Sequence, residues 1–545
     1  MHMRGRLVVV FASAVSLAAA THVQAAGPPT FSTPTALTGA TGFEPYIATD
    51  GHGNLADSAP QGFPSGQGAY WFSHNDGATW SGPTILGGPT GGGDEDDVFA
   101  PYDGSPYAGE LYIADLAATH STVCYSMDHG TTFWAVGTGP NSPANTPDPQ
   151  QCKSDPLGVV GPSNDRQWLT VDKGGRAYLS YHEFNSAQPV AFTTSDGGGD
   201  GFATSCGSII DPTNPLIEQY VPQDITGGTL ISKPVVDAAG NLYELITTTT
   251  QQENGGAAQN MTLSGTFSEV FLAVSTDHCL TFKDYTVFDG YGSNLPCNQV
   301  PTCNTDQFGD IFNQVAIDSA GNLYATAAGF VGTTPNATTT DVYLFTHKVA
   351  DPLGTWSGPT KLTNDGQGHM LPTLTTGPTP GQLAIGFFRT VNNITNPNST
   401  SGMWTYTALE TGNALTASPS FSFTDMTGGS GTSHNLYHLG DICNSGLLCG
   451  TGAPGTGTDR SLGDFTSATT DSDGCPWFSF AGNPGGDSAG TLTYVTKQNS
   501  NCFTSLASNV PEAPWSAALL VVGGAGAAIA LALRRRRFSG HAISV

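Results

Sequence analysis

A pattern of apolar and polar positions recurs along the chain. Each copy has an apolar stretch, a polar turn that ends in glycine, and a second stretch that opens with an apolar or aromatic residue. Short apolar stretches bounded by a Gly turn are typical of β-strands, so each copy predicts a hairpin. The copies are Pro45–Leu55, Ala100–Ile113, Trp168–Leu179, Pro234–Leu245, Gln314–Ala325, Pro372–Ile385 and Thr466–Phe478.

The spacing of these copies predicts more than a chain of hairpins. Successive turn glycines lie 56 to 93 residues apart, which leaves room for four strands and their loops in each unit. Internal repeats of this length indicate a fold built from stacked copies of one supersecondary unit. The seven turn glycines are Gly53, Gly109, Gly175, Gly240, Gly321, Gly381 and Gly474.

An eight-residue motif falls between copies of the first repeat. Ser126–Phe133 fits the pattern S-x-D-x-G-x-T-[WF] at every defined position. Ser73–Trp80 has Asn75 at the Asp position, and Ser275–Phe282 has Cys279 at the Gly position. We expect a tight turn in which the Asp accepts backbone N–H groups, the Gly adopts a positive φ, and the aromatic ring packs beneath.

This motif resembles the Asp box, or BNR repeat, of sialidases and related propellers, and the resemblance extends over about Phe43–Phe480. It implies an all-β fold, a β-propeller of four-stranded blades. Seven repeat copies favour seven blades over the six of sialidases. We expect the strand near Gly490–Thr496 to close the ring with the first blade, helped by a Cys475–Cys502 disulfide.

The two ends of the chain are predicted to lie outside this fold. Residues 1–26 have the basic start, apolar stretch and small-residue cleavage site of a secretory signal peptide, the alternative being a buried first element. The propeller is assigned to residues 27–505. Residues 506–545 contain Val510–Pro514, the apolar span Trp515–Leu533 and the cluster Arg534–Arg537. This order resembles a PEP-CTERM sorting signal, and a plain membrane anchor is the alternative.

The charge and cysteine content narrow the class of protein. The formal net charge of −27 excludes a nucleic-acid partner, because phosphate binding needs clustered cations. The protein is predicted to be exported, to sit at the cell surface or in the membrane or be released after C-terminal processing, and to be monomeric. Ten cysteines in an exported chain predict disulfides, with Cys297–Cys303 and Cys443–Cys449 as the first pairings expected.

In a propeller, the start of each blade's first strand and the end of its second strand share one rim around the axis. Any ligand, a glycan or another extracellular polymer, is predicted to bind at this rim. The first-strand positions are Glu44, Asp96, Asp97, Asp165, Arg166, Lys233, Asp310, His369 and Asp464. The second-strand positions are Asp115, His182, Glu183 and Arg389.

The resemblance to sialidases implies specific roles at this rim. Those enzymes hold a substrate carboxylate with three arginines, use a Tyr activated by a Glu as nucleophile, and use an Asp as acid/base. The substrate-binding candidates here are Arg166, Arg389, Arg460, Glu44 and Asp464, and the catalytic candidates are Tyr181, Glu183 and Asp165. Tyr181, His182 and Glu183 are equally suited to a hydrogen-bonding network without chemistry.

One departure from the sialidase pattern leaves two functional hypotheses open. Where sialidases carry an early Phe/Tyr-Arg-Ile-Pro motif, this chain has Phe43-Glu44-Pro45-Tyr46, and the first Arg after residue 6 is Arg166. The chain is therefore either an exo-sialidase-like glycosidase acting on anionic sugars, or a non-catalytic carbohydrate-binding, adhesion or structural envelope protein.

No cofactor and no metal are expected. The acidic stretch Asp94–Asp97 suits Ca²⁺ by its oxygen ligands but lacks EF-hand spacing, which favours a solvated acidic loop. His434 and His438 lie four residues apart in a segment rich in Gly and Ser, which favours a loop over a metal-binding helix.

Overall fold

The structure is a computed structural model. It describes residues 28–61, 67–86, 94–117, 120–135, 164–183, 190–194, 204–211, 213–214, 230–248, 269–289, 307–308, 313–330, 339–426, 435–443, 459–484 and 490–503. Every regular element named within these ranges is a β-strand, so the prediction of an all-β fold is confirmed. The predicted signal peptide and anchor lie outside the described residues, and within those residues no helix is long and apolar enough to cross a membrane.

The described strands form seven antiparallel sheets. Two short strands come first, β1 (Thr30–Phe31) and β2 (Thr35–Leu37). Sheet 1 contains β3 (Tyr46–Thr49), β4 (Leu55–Pro60), β5 (Gly68–Ser73) and β6 (Ser81–Leu86). Sheet 2 contains β7 (Glu95–Phe99), β8 (Leu111–Ala117), β9 (His120–Ser126) and β10 (Trp134–Ala135). Sheet 3 contains β11 (Asn164–Val171), β12 (Ala177–Glu183), β13 (Val190–Thr194) and β14 (Thr204–Ser205).

Four further sheets follow in chain order. Sheet 4 contains β15 (Leu230–Ile231), β16 (Val235–Val236), β17 (Leu242–Thr248), β18 (Glu269–Ser275) and β19 (Lys283–Asp289). Sheet 5 contains β20 (Gln307–Phe308), β21 (Gln314–Ile317), β22 (Leu323–Phe330), β23 (Asp341–His347) and β24 (Ser357–Lys361). Sheet 6 contains β25 (His369–Thr376), β26 (Leu383–Thr390), β27 (Met403–Thr411), β28 (Ser422–Asp425) and β29 (His438–Leu439). Sheet 7 contains β30 (Ser467–Thr470), β31 (Pro476–Gly482) and β32 (Leu492–Ser500), together with β1 and β2.

The sheets are arranged as a closed ring, which makes the molecule a β-propeller. The first strands β3, β7, β11, β16, β21, β25 and β30 each contact the first strand of the next sheet, and β30 contacts β3. An apolar core cluster fills each junction between neighbouring sheets. Trp71 and Trp477, for example, both belong to the cluster between sheets 1 and 7. This burial of apolar side chains between sheets supplies the main stabilising term of the fold.

The turn glycines behave as their sequence pattern predicts. Each lies between the first and second long strands of one sheet, and all seven have φ between 75° and 95°. This left-handed region is open to Gly at little cost.

An Asp in four of these turns adds a bond that the sequence analysis did not identify. Its carboxylate accepts a hydrogen bond from an aromatic side chain six residues later. The pairs are Asp172–Tyr178 at 2.8 Å, Asp237–Tyr243 at 3.1 Å, Asp318–Tyr324 at 2.6 Å and Asp471–Trp477 at 3.1 Å.

The eight-residue motif forms the predicted turn, and it joins the third and fourth strands. Asp128 Oδ1 accepts bonds from Thr132 N at 2.7 Å and Ser126 Oγ at 2.8 Å. Asp277 makes the same bonds in sheet 4, and Asn75 makes the equivalent ones in sheet 1. The predicted role of the Asp side chain is confirmed.

The ring closes in a different way from the expectation. The predicted strand near Gly490–Thr496 is β32, which pairs with β31 on one side and with β1 and β2 on the other. Thr35 lies opposite Val495 in this pairing. The N-terminal strands β1 and β2 therefore complete sheet 7. The expectation had instead placed the last strand, β32, against the first blade. The short Thr-rich segments of β1 and β2 carry little apolar periodicity, which is why the sequence analysis did not identify them.

Two disulfides are described. Cys475–Cys502 is as predicted. Cys206–Cys279 was not predicted, and it links the end of sheet 3 to the motif turn of sheet 4, where Cys279 stands in place of Gly with φ 66°. Cys443 is disulfide-bonded, but Cys449 and the predicted pair Cys297–Cys303 lie outside the described residues.

Candidate functional site

A group of charged side chains gathers at one end of the propeller. This rim cluster consists of Glu44, Asp94, Arg166, Arg460 and Asp464. Each residue lies just before or at the start of a first strand, in sheet 1, 2, 3 or 7. The backbone of Glu44 has φ 48° and that of Arg166 has φ 56°. A left-handed conformation costs a residue with a Cβ about 1–3 kcal/mol, so the surrounding structure must hold both in place.

The two arginines converge on one carboxylate. Arg166 Nη2 lies 2.8 Å from Asp464 Oδ2, and Arg460 Nε lies 2.9 Å from Asp464 Oδ1. Arg166 Nη1 also contacts Asp94 Oδ1 at 3.3 Å and Glu44 Oε2 at 3.5 Å. Glu44 Oε1 accepts a bond from the backbone N–H of Asp464 at 2.9 Å. The cluster thus ties four sheets together with charge-assisted bonds.

The cluster is mostly buried but reaches the surface at its arginines. The side chains of Glu44 and Asp464 are 2% and 3% exposed, whereas those of Arg166 and Arg460 are 10% and 16% exposed. A molecule approaching this end of the ring would meet guanidinium groups first.

Glu44 and Asp464, two of the three buried carboxyls in the cluster, differ in the direction of their pKa shifts. Burial raises the pKa of Glu44 well above its usual value, and the opposing charge of Arg166 is the smaller effect. Burial acts on Asp464 in the same direction, but Arg460 and Arg166 outweigh it and hold the pKa of Asp464 below its usual value. Opposite pKa shifts on neighbouring carboxyls are a feature of acid/base pairs in enzymes.

His182 lies near the same cluster. Burial, followed by the positive charge of Arg166, lowers the pKa of His182 to about 4. The imidazole is therefore neutral at pH 7. Neighbouring Tyr181 packs against the apolar cluster between sheets 2 and 3. Asp165 pairs with His182 in the strand register, but the side chains of Asp165 and Glu183 lie outside what the structure describes.

Arg389 has a different set of partners from the other two arginines. It lies opposite His369 in sheet 6, where its Nε is 2.6 Å from Asp365 Oδ2 and its guanidinium lies 5.4 Å from the centre of the Phe423 ring. Burial would raise the pKa of Asp365, but His369 and Arg389 outweigh it and lower that pKa. In the part of the chain that is described, the structure brings Arg166 and Arg460 together and leaves Arg389 with Asp365.

Two residues of the acidic stretch are paired with cations of the protein itself. Asp94 contacts Arg166, and Asp96 Oδ1 lies 2.7 Å from Lys233 Nζ. No group of three or more His, Cys, Asp or Glu side chains among the described residues is arranged to hold a metal ion. Asp94 to Asp97 are all buried, so the expectation of a solvated acidic loop is wrong: β7 begins at Glu95 and carries these residues between sheets.

Several of the predicted rim positions are placed as follows. Asp115 lies opposite Glu95 in sheet 2, and the backbone N–H of Leu169 donates to Asp96 Oδ2 at 2.6 Å. His438 is buried and contacts Asn483, while His434 and Asp310 lie outside the described residues. Sequence reasoning missed Asp365, although its position four residues before His369 offered a signal.

No protein-family profile and no curated protein matches this chain. Among solved structures, the NanB sialidase from Streptococcus pneumoniae has 12% identity and a TM-score of 0.40 over 87% of this chain and 71% of its own. The α-L-arabinofuranosidase Arb93A from Fusarium graminearum has 11% identity and a TM-score of 0.37, over 87% and 97% of the two chains. The polysaccharide lyase Uly1 has 9% identity and a TM-score of 0.47, over 86% and 99%. At such identities and TM-scores, the activity of this chain has to be argued from its own residues.

Proposed function

We propose that the protein engages glycans, or another extracellular polymer, through the rim cluster. The observation that carries this proposal is the convergence of two arginines and three carboxylates from four sheets at one end of the ring, with Glu44 and Arg166 in strained backbone conformations. Strained residues concentrate at binding and catalytic sites. Paired guanidinium and carboxylate groups offer both donors and acceptors, which suits the hydroxyl groups of a sugar.

Binding without chemistry is the form of this proposal that the contacts favour. A sugar carboxylate would have to displace Asp464 from both Arg166 and Arg460 before it could bind them. Breaking a buried ion pair of this kind costs about 3–5 kcal/mol. A neutral glycan that bonds the exposed edges of the two guanidinium groups avoids that cost.

Glycoside hydrolysis is the second candidate function, and one observation favours it. Glu44 and Asp464 lie together with pKa values shifted in opposite directions. In a hydrolase, a protonated Glu44 would donate its proton to the leaving oxygen and an ionised Asp464 would support the developing positive charge on the sugar. Tyr181, Glu183 and Asp165 remain the candidates for a sialidase-type route, with Arg166, Arg389 and Arg460 as carboxylate ligands.

We propose that each of the seven sheets is one blade, because each carries one copy of the turn repeat and borders two core clusters. An experimental structure in which the ring contains six blades would overturn this.

We also propose that residues 1–26 export the chain and that residues 506–545 attach it to the membrane. Cell fractionation of the full chain and of a variant with Arg534–Arg537 replaced by Ala tests this.

Glycan-array binding by the full chain tests the main proposal. Arg460→Ala removes the more exposed guanidinium and should weaken binding at least tenfold. Arg176→Ala is the matched control, because Arg176 lies in the turn after β11, at the opposite end of that strand from Arg166. Circular dichroism verifies that both variants are folded. Absence of binding on arrays and cell surfaces, or equal binding by Arg460→Ala, would overturn the proposal.

Fluorogenic glycosides separate the two candidate functions. A hydrolase should release fluorophore from at least one sialoside or neutral glycoside, and Glu44→Gln should abolish that release while retaining binding. Binding without turnover across the panel would leave the non-catalytic form standing and eliminate the hydrolase.

A further inference from the structure

The propeller contains a cavity that lies apart from the rim cluster. Its volume is about 290 Å³, close to the lower end of small-molecule pockets. Residues from six of the seven sheets line it, mostly from the first strands, so it occupies the central channel. The polar lining includes Tyr46, Thr170, Lys233, Gln314, Thr375 and Thr469.

The positive charge in this cavity is already neutralised. Lys233 Nζ lies 2.7 Å from Asp96 Oδ1 and 2.7 Å from the carbonyl oxygen of Asp97. Lys233 Nζ also lies 3.8 Å from the centre of the Tyr46 ring, with which it makes a cation–π contact. Lys233 therefore does not make the cavity a site for anions, and no carboxylate is found among the described lining residues.

The side-chain amide of Gln314 indicates which kind of ligand the cavity would bind. It is 7% exposed, it lines the cavity, and its Nε2 has no hydrogen-bond partner among the described residues. Leaving a buried N–H group unpaired costs about 1–3 kcal/mol, so an acceptor at this position would be stabilising. A second donor is Tyr46. Burial, then the charges of Asp96 and Asp97, raise the pKa of Tyr46 well above its usual value and keep its hydroxyl protonated.

The rest of the wall defines the chemistry of the occupant. Threonine residues from sheets 3, 6 and 7 line the wall together with apolar residues such as Val235, Val236 and Ile317. Such a surface suits a molecule with hydroxyl groups at its edges and C–H groups on its faces. We propose that the central channel binds one neutral polyhydroxylated molecule of monosaccharide size, with the Gln314 amide and the Tyr46 hydroxyl as its hydrogen-bond donors. This site is separate from the rim cluster and does not depend on the function proposed there.

Saturation-transfer NMR on the full chain tests the proposal, with D-glucose and myo-inositol as neutral probes and sodium glucuronate as an anionic one. The neutral probes should bind more tightly than glucuronate. Gln314→Leu, which removes the amide at nearly constant size, should weaken the neutral probes roughly three- to tenfold. Gln314→Glu should do the same at neutral pH without a change in size, which guards against a folding defect in the first variant.

The rim variant Arg460→Ala distinguishes this site from the proposed glycan site, because it should leave monosaccharide binding in the channel unchanged. Three results would each overturn the proposal: no binding of either neutral probe to folded protein, unchanged binding in both Gln314 variants, or preferential binding of glucuronate.

Discussion

Glu410 makes the stability of this protein dependent on pH in an unusual direction. The residue lies in β27 of sheet 6, is 4% exposed, and sits next to Gln498 of sheet 7. The Gln498 amide donates to the carbonyl oxygens of Ser500 and Asn501, at 3.0 and 2.9 Å. Its Oε1 and both carboxyl oxygens of Glu410 have no hydrogen-bond partner among the described residues.

The magnitude follows from the pKa of Glu410, which burial raises from 4.5 to about 8. The folded state binds this proton more tightly than the unfolded state. Its stabilising contribution is therefore complete below about pH 4.5 and is lost as the pH rises through about 8. Each unit of pKa shift corresponds to about 1.4 kcal/mol, so the full loss is about 5 kcal/mol. Asp96 and Asp284, whose pKa values burial raises to about 6 and about 7, add losses of the same sign.

The variant Glu410→Gln isolates this contribution, because its side-chain amide is close to the same size and stays neutral at every pH. Urea denaturation followed by tryptophan fluorescence, from pH 4 to pH 9, should give equal free energies of unfolding for variant and wild type near pH 4. The variant should become the more stable protein by several kcal/mol near pH 8.5. Asp351→Asn, at an exposed position, is the control and should follow the wild type. A wild type whose stability rises from pH 5 to pH 8, or a variant curve parallel to it, would refute the reasoning.

Two further predictions concern bonds between sheets. Replacing Cys206 by Ser and Cys279 by Gly should lower the free energy of unfolding by up to about 4 kcal/mol, because the disulfide closes a loop with a sequence separation of 73 residues; a thermal midpoint unchanged under oxidising conditions would contradict this. Asp464→Asn should cost about 3–5 kcal/mol in urea denaturation, because it leaves Arg166 and Arg460 without their shared carboxylate. A loss below about 1 kcal/mol would mean that the ion pairs contribute little.

The parts of the fold that were predictable depend on local chemistry. A turn glycine such as Gly321 needs a positive φ whatever surrounds it, and the bonds of Asp128 connect residues within one motif. Both features can therefore be recognised from a short stretch of sequence. The Cys475–Cys502 disulfide was predicted as a help to ring closure, and in the structure its partners flank the adjacent strands β31 and β32.

The features that were missed depend on residues distant in the sequence. The rim candidates Arg166, Asp464 and Glu44 were named, but their ion pairs join residues 122 and 298 positions apart. Nothing in the sequence separates Arg389, which binds Asp365, from the two arginines that share Asp464. Side-chain partners of this kind are decided by how sheets pack, which strand patterns do not encode.

The pairing of β1 with β32 has a consequence for how the protein is made. Thr30 and Ser500 are 470 residues apart, so sheet 7 stays incomplete until both ends of the body have been synthesised. β1 and β2 are synthesised first and have no partner strand until β32 follows. Without β1 and β2, β32 would keep an open edge that can pair with a strand from another chain. A chain that lacks β1 and β2 should accordingly be prone to aggregation, even though six of the seven described sheets keep all their strands. A peptide with the sequence of residues 28–38, supplied separately, should suppress that aggregation.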